Sequence, residues 1–432
     1  MRKLLLGSTA VAAAALFAPN GAMAQGNDPF GRGMGAAAAS LRGLEVRVGG
    51  YFRGMYEYVD QSGVNNATNR LGKSDFSQEI EIHILATGKA ANGLRYGVAL
   101  EIENDIYRTP ANVASGASGS GKNTIGFDEA WGFLAGPWGQ IRYGEEDGAI
   151  QQLQSGHITG FGIGGLDSGD TNQQVVGGNY RPNFSFVNDL GDNTKLTYLS
   201  PQFFGFDAGA TFAFNTGEGP LSGCDTIDTA GICDRVSAVA GGQSRRRNEI
   251  QAALRWRGSF GPVGAAATVG YITADSVGNT TGVSPRRVDM IWAGATATAY
   301  GFVVGGWYTG GTALPGYNPI LRRGSTAATI DDRDMDAFMV GATYTIDAIT
   351  VGGHFTTTWS AGSQTVAAGR RDRGWAVGGN YRIAPGLDLF AEYLNTNRKE
   401  VGVRFENADV APRAPGGRAN TDIVMAGFRV AF

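Results

Sequence analysis

Cysteine, histidine and proline are all scarce in this chain, and each scarcity closes off a class of function. Two cysteines, Cys224 and Cys233, stand among 432 residues, and no third or fourth ligand accompanies them to complete a metal centre. The only histidines, His83, His157 and His354, have no metal-ligand spacing, so each is expected as polar lining or in a solvated loop. His83 shares a strand face with Asp75 and Ser77, but at about 3.3 Å per residue they stand too far apart for a hydrolytic triad within one strand. No enzyme, metal or cofactor is expected. Fourteen prolines beside 68 glycines, with 10% aromatic residues, fit neither a collagen-like nor a disordered chain. Beyond the first residues, no apolar run is long enough to span a membrane as a helix.

What is present begins with an export signal. MRKLLLGSTAVAAAALFAPNGAMA joins a basic start at Arg2 and Lys3 to an apolar run and a small-residue end at Ala22-Met23-Ala24, the pattern of a cleaved secretory peptide over residues 1–24. Its removal leaves 34 basic against 39 acidic residues, a net charge of −5 that argues against nucleic acid as a partner. Residues 25–43 form a Gly/Ala-rich segment with no assigned element. Residues 44–432 read as one β domain.

The domain opens in strict alternation. Val46, Val48, Phe52, Tyr56 and Tyr58 fall on one face, and Glu45, Arg47, Tyr51, Arg53 and Glu57 on the other. The pattern returns where Phe76, Ile80, Ile82 and Ile84 oppose Asp75, Ser77, Glu79, Glu81 and His83, and where Tyr96, Val98, Leu100 and Ile102 oppose Arg95, Glu101 and Glu103. Period two with one apolar face signifies a β-strand. Alternation alone fits a soluble sandwich as well as a membrane barrel, and the spacing decides between them. Long polar connections such as 60–73, 107–123, 215–246, 310–333, 361–371 and 400–420 alternate with short turns such as LAGPWGQ, AYGF and RIAPGL. They join sixteen strands with both termini at the short-turn end, which fits an all-β, transmembrane antiparallel barrel. Trp131, Trp256, Trp292, Trp307, Trp359 and Trp375, with Tyr271, Tyr300, Tyr344 and Tyr381, collect near strand ends as interfacial girdles would.

One connection exceeds the rest. After the strand GQIRYGE, with Ile141 and Tyr143 on one face and Gln140 and Arg142 on the other, about forty residues pass before alternation resumes at LTYLS. A loop that long between clear strands is usually functional, and this one, 147–193, is expected to fold inward and constrict a water-filled lumen.

Three other motifs fail on context. Residues 116–122 match a phosphate-binding loop, but Asn123 replaces the required hydroxyl residue. Gly160, Gly162 and Gly165 match G-x-G-x-x-G without a βαβ frame. Asp331, Asp332, Asp334 and Asp336 suit Ca²⁺ in a surface loop or a solvated charge run.

KLTYLSPQFFGFDAGATFAF, a strand, a Ser-Pro turn with aromatics and a return strand, resembles Gram-negative general porins. GPWGQIRYGEEDG resembles the strand that leads into their third loop, and TDIVMAGFRVAF ends on an alternating Phe428, Val430 and Phe432 as in substrates of the outer-membrane assembly machinery. The resemblance, to the alphaproteobacterial type, covers nearly everything from Leu44 to Phe432. It implies a trimer of sixteen-stranded barrels in the outer membrane, in contact with lipid bilayer and lipopolysaccharide, that passes small hydrophilic solutes by diffusion. It also implies an acidic third loop facing a basic wall. By alternation the inward bases are Arg47, Arg53, Arg95, Arg142, Arg255, Arg382 and Arg429, and the acidic side falls to Glu145, Glu146, Asp147, Asp167 and Asp170. Inward carboxylates outnumber arginines on the first three strands, so mild cation preference is expected. A structural or surface-binding barrel is the competing reading, but about eight strands suffice for a filled lumen and sixteen leave a channel.

Export places Cys224 and Cys233 in an oxidising compartment, where a disulfide across their loop is expected. Alkylation of the unreduced mature protein should find no free thiol. Closing so short a loop should contribute at most about 2–3 kcal/mol, and replacing both cysteines should leave conductance unchanged.

Overall fold

The computed structural model describes residues 43–62, 72–103, 126–167, 193–216, 245–277, 285–320, 332–362, 369–400, 403–404, 409–410 and 417–432. Strands β1 (Glu45–Ser62), β2 (Ser74–Lys89), β3 (Arg95–Glu103), β4 (Gly126–Gly136) and β5 (Gly139–Glu145) precede a short helix, α1 (Ala149–Leu153), and a 3-10 turn at Gly165–Asp167. Next come β6 (Thr194–Leu199), β7 (Phe206–Asn215), β8 (Arg245–Phe260), β9 (Val263–Val277), β10 (Val288–Ala299) and β11 (Phe302–Thr312). The chain continues through β12 (Met335–Ile346), β13 (Ile349–Ser360), β14 (Arg370–Ala384) and β15 (Leu387–Glu400). The two-residue strands β16 (Val403–Arg404) and β17 (Asp409–Val410) pair with each other, and β18 (Gly417–Ala431) ends the chain.

β1 to β15 and β18 close into one antiparallel barrel of sixteen strands, each paired to its sequence neighbour in the ring. Closure runs through β1 and β18, in register from Tyr51↔Ala431 to Ser62↔Asn420. Beyond that ladder, Phe432 and Gly50 exchange backbone hydrogen bonds of 3.0 and 3.2 Å, which carry the seam to the last residue. In lipid every strand N–H and C=O needs a partner within the protein, and closure leaves no open edge.

The short turns match the strand twist. Between β10 and β11, Tyr300 and Gly301 have φ of 48° and 84°, the positive values that a two-residue type I′ hairpin needs at both central positions. The outward face alternates as expected: Val46, Val48, Phe76, Ile291, Val304, Val340 and Val377 are exposed there, toward lipid.

The inward face falls into two parts. On β1 to β4 it carries Tyr51, Arg53, Glu57, Glu79, Glu81, His83 and Glu101. On β9 to β13 it turns apolar, where Ile272, Met290, Trp292, Trp307, Met335 and Met339 form one buried cluster. Three of the expected girdle residues belong inside: Trp131, Trp292 and Trp307 are no more than 3% exposed. Parity decides this, since Trp131 lies opposite the buried inward Ala99 and Trp292 shares its strand face with buried Met290. Trp359, Trp375, Tyr271 and Tyr381 are exposed on the outward face, and Tyr300 is exposed in the turn after β10. The 310–333 connection also differs from a purely polar loop, because Ala313, Tyr317 and Ile320 are fully buried.

Ion pairs lock the wall from within. Arg398 grips Asp372 through two 2.8 Å bonds, and Asp207 accepts from Arg255 at 2.9 and 2.5 Å and from Arg257 at 2.8 Å. Removing one partner of so buried a pair costs about 3–5 kcal/mol, which makes these charges structural.

Val340, mid-strand on the lipid face and 52% exposed, tests the assignment of faces. Val340→Arg should destabilise the barrel by about 2–4 kcal/mol in reversible denaturant unfolding in bilayers. Equal tolerance of arginine at Val340 and at a lumen position would overturn the inside–outside assignment.

Candidate functional site

The loop after β5 is anchored at its root by a buried charge. Arg142, inward on β5, pairs with Glu146 and stacks its guanidinium 4.4 Å from the Trp131 ring. Gln152 donates to the same carboxylate at 2.6 Å, and Lys195 on β6 donates to the Glu146 carbonyl at 2.6 Å. Gly148 then caps α1, whose five residues are all buried.

From that root the chain follows the inner wall around half the barrel. The Ala149 N–H donates to Thr211 on β7 at 2.8 Å, the Ile150 N–H to Gln251 on β8 at 3.3 Å, and the Gly156 N–H to Thr296 on β10 at 2.6 Å. The Ser155 hydroxyl meets Thr268 on β9 at 2.9 Å. Close approach requires bare wall positions: a Cβ at Gly294 would overlap the Ser155 carbonyl, and one at Gly156, where φ is 97°, would overlap the Gly306 carbonyl. Much of the glycine on these strands therefore serves a close contact of backbone with backbone. Ile150, Leu153, Ile158, Phe161 and Leu166 all point into the apolar wall and are at most 3% exposed. At about 1.5–3 kcal/mol per buried side chain, these five hold the loop at least as firmly, side chain for bond, as its hydrogen bonds, worth about 1 kcal/mol each.

Three polar side chains fix the far end. His354 on β13 bonds through Nδ1 to the Ile158 carbonyl at 2.6 Å, while its Nε2 accepts the Leu166 N–H at 3.0 Å. These partners define the neutral tautomer with its proton on Nδ1. Glu392 on β15 accepts the N–H groups of Ile163 and Gly165 at 3.0 and 3.3 Å, and Asn380 on β14 donates to the Gly162 carbonyl at 2.7 Å.

The residues expected to set the constriction take several places. Glu145 continues the outward face of β5, opposite Ala130, and so lies off the lumen. Glu146, Arg142 and Arg255 are 1–3% exposed, covered beneath the loop. Asp147 is half-buried at the root. Asp167 closes the 3-10 turn, and Asp170 lies outside the described residues, as do Cys224, Cys233 and the 116–122 motif. Arg47 and Arg382 line the short-turn mouth, where they pair with Glu45 at 2.9 Å and Asp388 at 3.4 Å. Arg95 is half-buried near the same end. Arg53 and Arg429 face each other across the seam, both stacked on the Tyr51 ring, and Arg53 pairs with Glu79 at 2.5 Å. Phe428 packs 5.9 Å from Phe52 on the outer face of that seam, and Phe432 ends it. Asp331 lies outside the described residues, and Asp332, Asp334 and Asp336 do not converge: Arg286 donates to the Asp332 backbone carbonyl and pairs with the Asp334 carboxylate, and Tyr308 donates to Asp336.

The arc of the lumen that the described loop residues do not reach, β1 to β4, carries Glu57, Glu79, Glu81 and Glu101 against Arg53 and His83. Of the loop residues from 148 to 166, His157, Thr159, Gly160, Gly162 and Ile163 keep partial or full exposure. That stretch of the loop holds no acidic or basic residue other than His157. His83 lies within reach of Glu81 and Glu101, a convergence that the i, i+2 spacing of Glu81 and His83 hinted at but that needed the β2–β3 register to complete.

The family model of the Gram-negative porins matches residues 9–400. The chain belongs to the Gram-negative porin family. A search of curated proteins returns no significant match. Among solved structures, an engineered variant of Rh. blastica porin is 16% identical with a TM-score of 0.50, covering 90% of this chain and all of its own. A porin refined at 1.8 Å resolution is 14% identical with a TM-score of 0.51 and the same coverage. At such identity these two show the shared fold. As a porin, the barrel is an outer-membrane diffusion channel, and the loop along its inner wall narrows the path.

Two substitutions test the seating of the loop. Gly294→Val should push the Ser155 carbonyl into the lumen and lower unit conductance in planar bilayers. Glu392→Ala should leave two loop N–H groups without their acceptor, weaken the attachment by about 1–3 kcal/mol, and appear as added open-channel noise.

Proposed function

We propose that this porin is a homotrimeric general diffusion channel with mild cation preference, set chiefly by the carboxylates of β1 to β4 and modulated by Asp167 and Asp170 beyond the uncharged stretch of the loop. The observation that carries this reading is the asymmetry of the lumen: the described part of the loop, 148–167, lies on the arc from β7 to β15, and the described inward face of β1 to β3 bears more acid than base. Fixed charge beside a narrow aqueous path raises the local concentration of the opposite ion, and salt screens the effect. The family supports the trimer, and the basic, apolar and small-residue succession of residues 1–24 supports export before insertion. Phe428 and Phe432 would present the terminal strand to the assembly machinery, and lipopolysaccharide would meet the loop-side rim. Residues 25–43 would precede the barrel as a separate segment. A structural or adhesin-like barrel is disfavoured, since sixteen strands enclose far more than a side-chain-filled lumen needs.

Reversal potential in a salt gradient tests the charge assignment. The parent should be weakly cation-selective, with conductance steps grouped in threes, and Asp167→Asn with Asp170→Asn should reduce the selectivity without abolishing it. An anion-selective parent would overturn the sign. A double variant with unaltered reversal potential would assign the selectivity to the wall alone.

A further inference from the structure

We propose that Glu81, His83 and Glu101 form a binding site for a divalent transition metal of zinc-like chemistry on the lumen wall. His83 and Glu101 lie directly opposite each other in the β2–β3 ladder, and Glu81 sits two residues from His83 on the same inward face. One ligand atom from each of the three falls within 4.8 Å of the others, and among the described residues no other group of this kind occurs. The His83 Nε2 meets the Glu81 carboxylate and stands 3.8 Å from Glu101 Oε1. The second observation concerns Glu101 itself. It is only 8% exposed and its carboxyl group lies against that of Glu81. Two carboxylates held together in so little water repel unless a positive charge lies between them, and a cation there would join both to the imidazole.

The donor set selects the metal. One imidazole nitrogen and two carboxylate oxygens suit Zn²⁺ and its first-row neighbours, whereas Ca²⁺ and Mg²⁺ take oxygen alone. Ligands about 2.0–2.2 Å from one ion lie roughly 3–3.5 Å apart, so His83 and Glu81, which already touch, would part to admit the ion, while Glu101, 3.8 Å from the imidazole, would draw in slightly. Their supports are already in place. The Tyr51 hydroxyl stands 2.5 Å from Glu81 Oε2 and also meets Glu79, so its single proton goes to one of the two, and Arg53 holds Glu79 at 2.5 Å. Such outer contacts orient ligands and sharpen affinity. On binding, the ion adds two positive charges to the wall, less any proton that its ligands release.

His83 and Glu101 stand six residues from the short-turn ends of their strands, close to the five of His354 and Glu392 that hold the loop. An ion there would face the narrowed part of the path. Zinc is thus expected to lower cation preference, an effect that rests on the channel reading, while binding itself does not.

The test therefore has two arms. Folded, chelator-treated protein in detergent is dialysed against ZnCl₂ and its metal content measured, for the parent, His83→Gln and Glu101→Gln, each checked for heat-modifiable mobility. The parent should retain one Zn²⁺ per chain in the presence of excess Ca²⁺ or Mg²⁺, and each variant should bind at least about tenfold more weakly. In bilayers, ZnCl₂ should shift the reversal potential toward anions for the parent and not for the variants. Absence of stoichiometric zinc, or equal binding by both folded variants, would overturn the site. Zinc binding without any conductance would instead overturn the channel reading, and zinc binding with an unmoved reversal potential would remove the ion from the conducting path.

Discussion

Backbone hydrogen bonding in a medium without water is the constraint on which this structure depends. A strand in hydrocarbon cannot leave an N–H or C=O unmet, so the sheet must close. The seam of β1 with β18 achieves this through twelve register pairs, and Phe432 and Gly50 add the last two backbone bonds. Because the seam joins β1 to β18, the barrel cannot close until both strands are present. Turns such as Tyr300-Gly301, with both φ values positive, let each hairpin reverse with the twist the closed sheet requires.

Closure creates an interior that must be both filled and open. The filled part is the arc of β9 to β13, whose inward Ile272, Met290, Trp292, Trp307, Met335 and Met339 would be unfavourable against water. The third loop resolves this by laying Ile150, Leu153, Ile158, Phe161 and Leu166 on that arc. Glycines let its backbone sit against the strands, and His354, Asn380 and Glu392 satisfy its carbonyl and amide groups. The loop is therefore held as a hydrophobic core is held, with polar fasteners at its end.

The open part is the arc of β1 to β4. Its charges are not evenly paired: Arg53 takes Glu79, while Glu81, His83 and Glu101 crowd one another. Charges elsewhere that resemble lumen charges in sequence, Arg255 with Asp207 and Arg398 with Asp372, are sealed and serve the wall. The field that a permeating ion meets is consequently set by few residues, and a single bound cation would alter it appreciably.

By itself the sequence determined the architecture. Period-two alternation fixed the strands, the rhythm of long and short connections fixed their number and direction, and the length of 147–193 marked the loop that enters the lumen. These features are local, and lipid imposes closure on any chain that has them. Tertiary structure decided the rest, because a face is assigned by register and a charge by what covers it. Trp292 and Trp307 look like girdle residues until parity turns them inward, Glu145 joins the lipid-facing side of β5, and Arg142, Glu146 and Arg255 disappear beneath the loop. The convergence of His83 with Glu101 depends on the pairing of β2 with β3, across a connection whose length alone does not state the register. Alternation says that a side chain points inward, and only the folded loop says whether it then meets water.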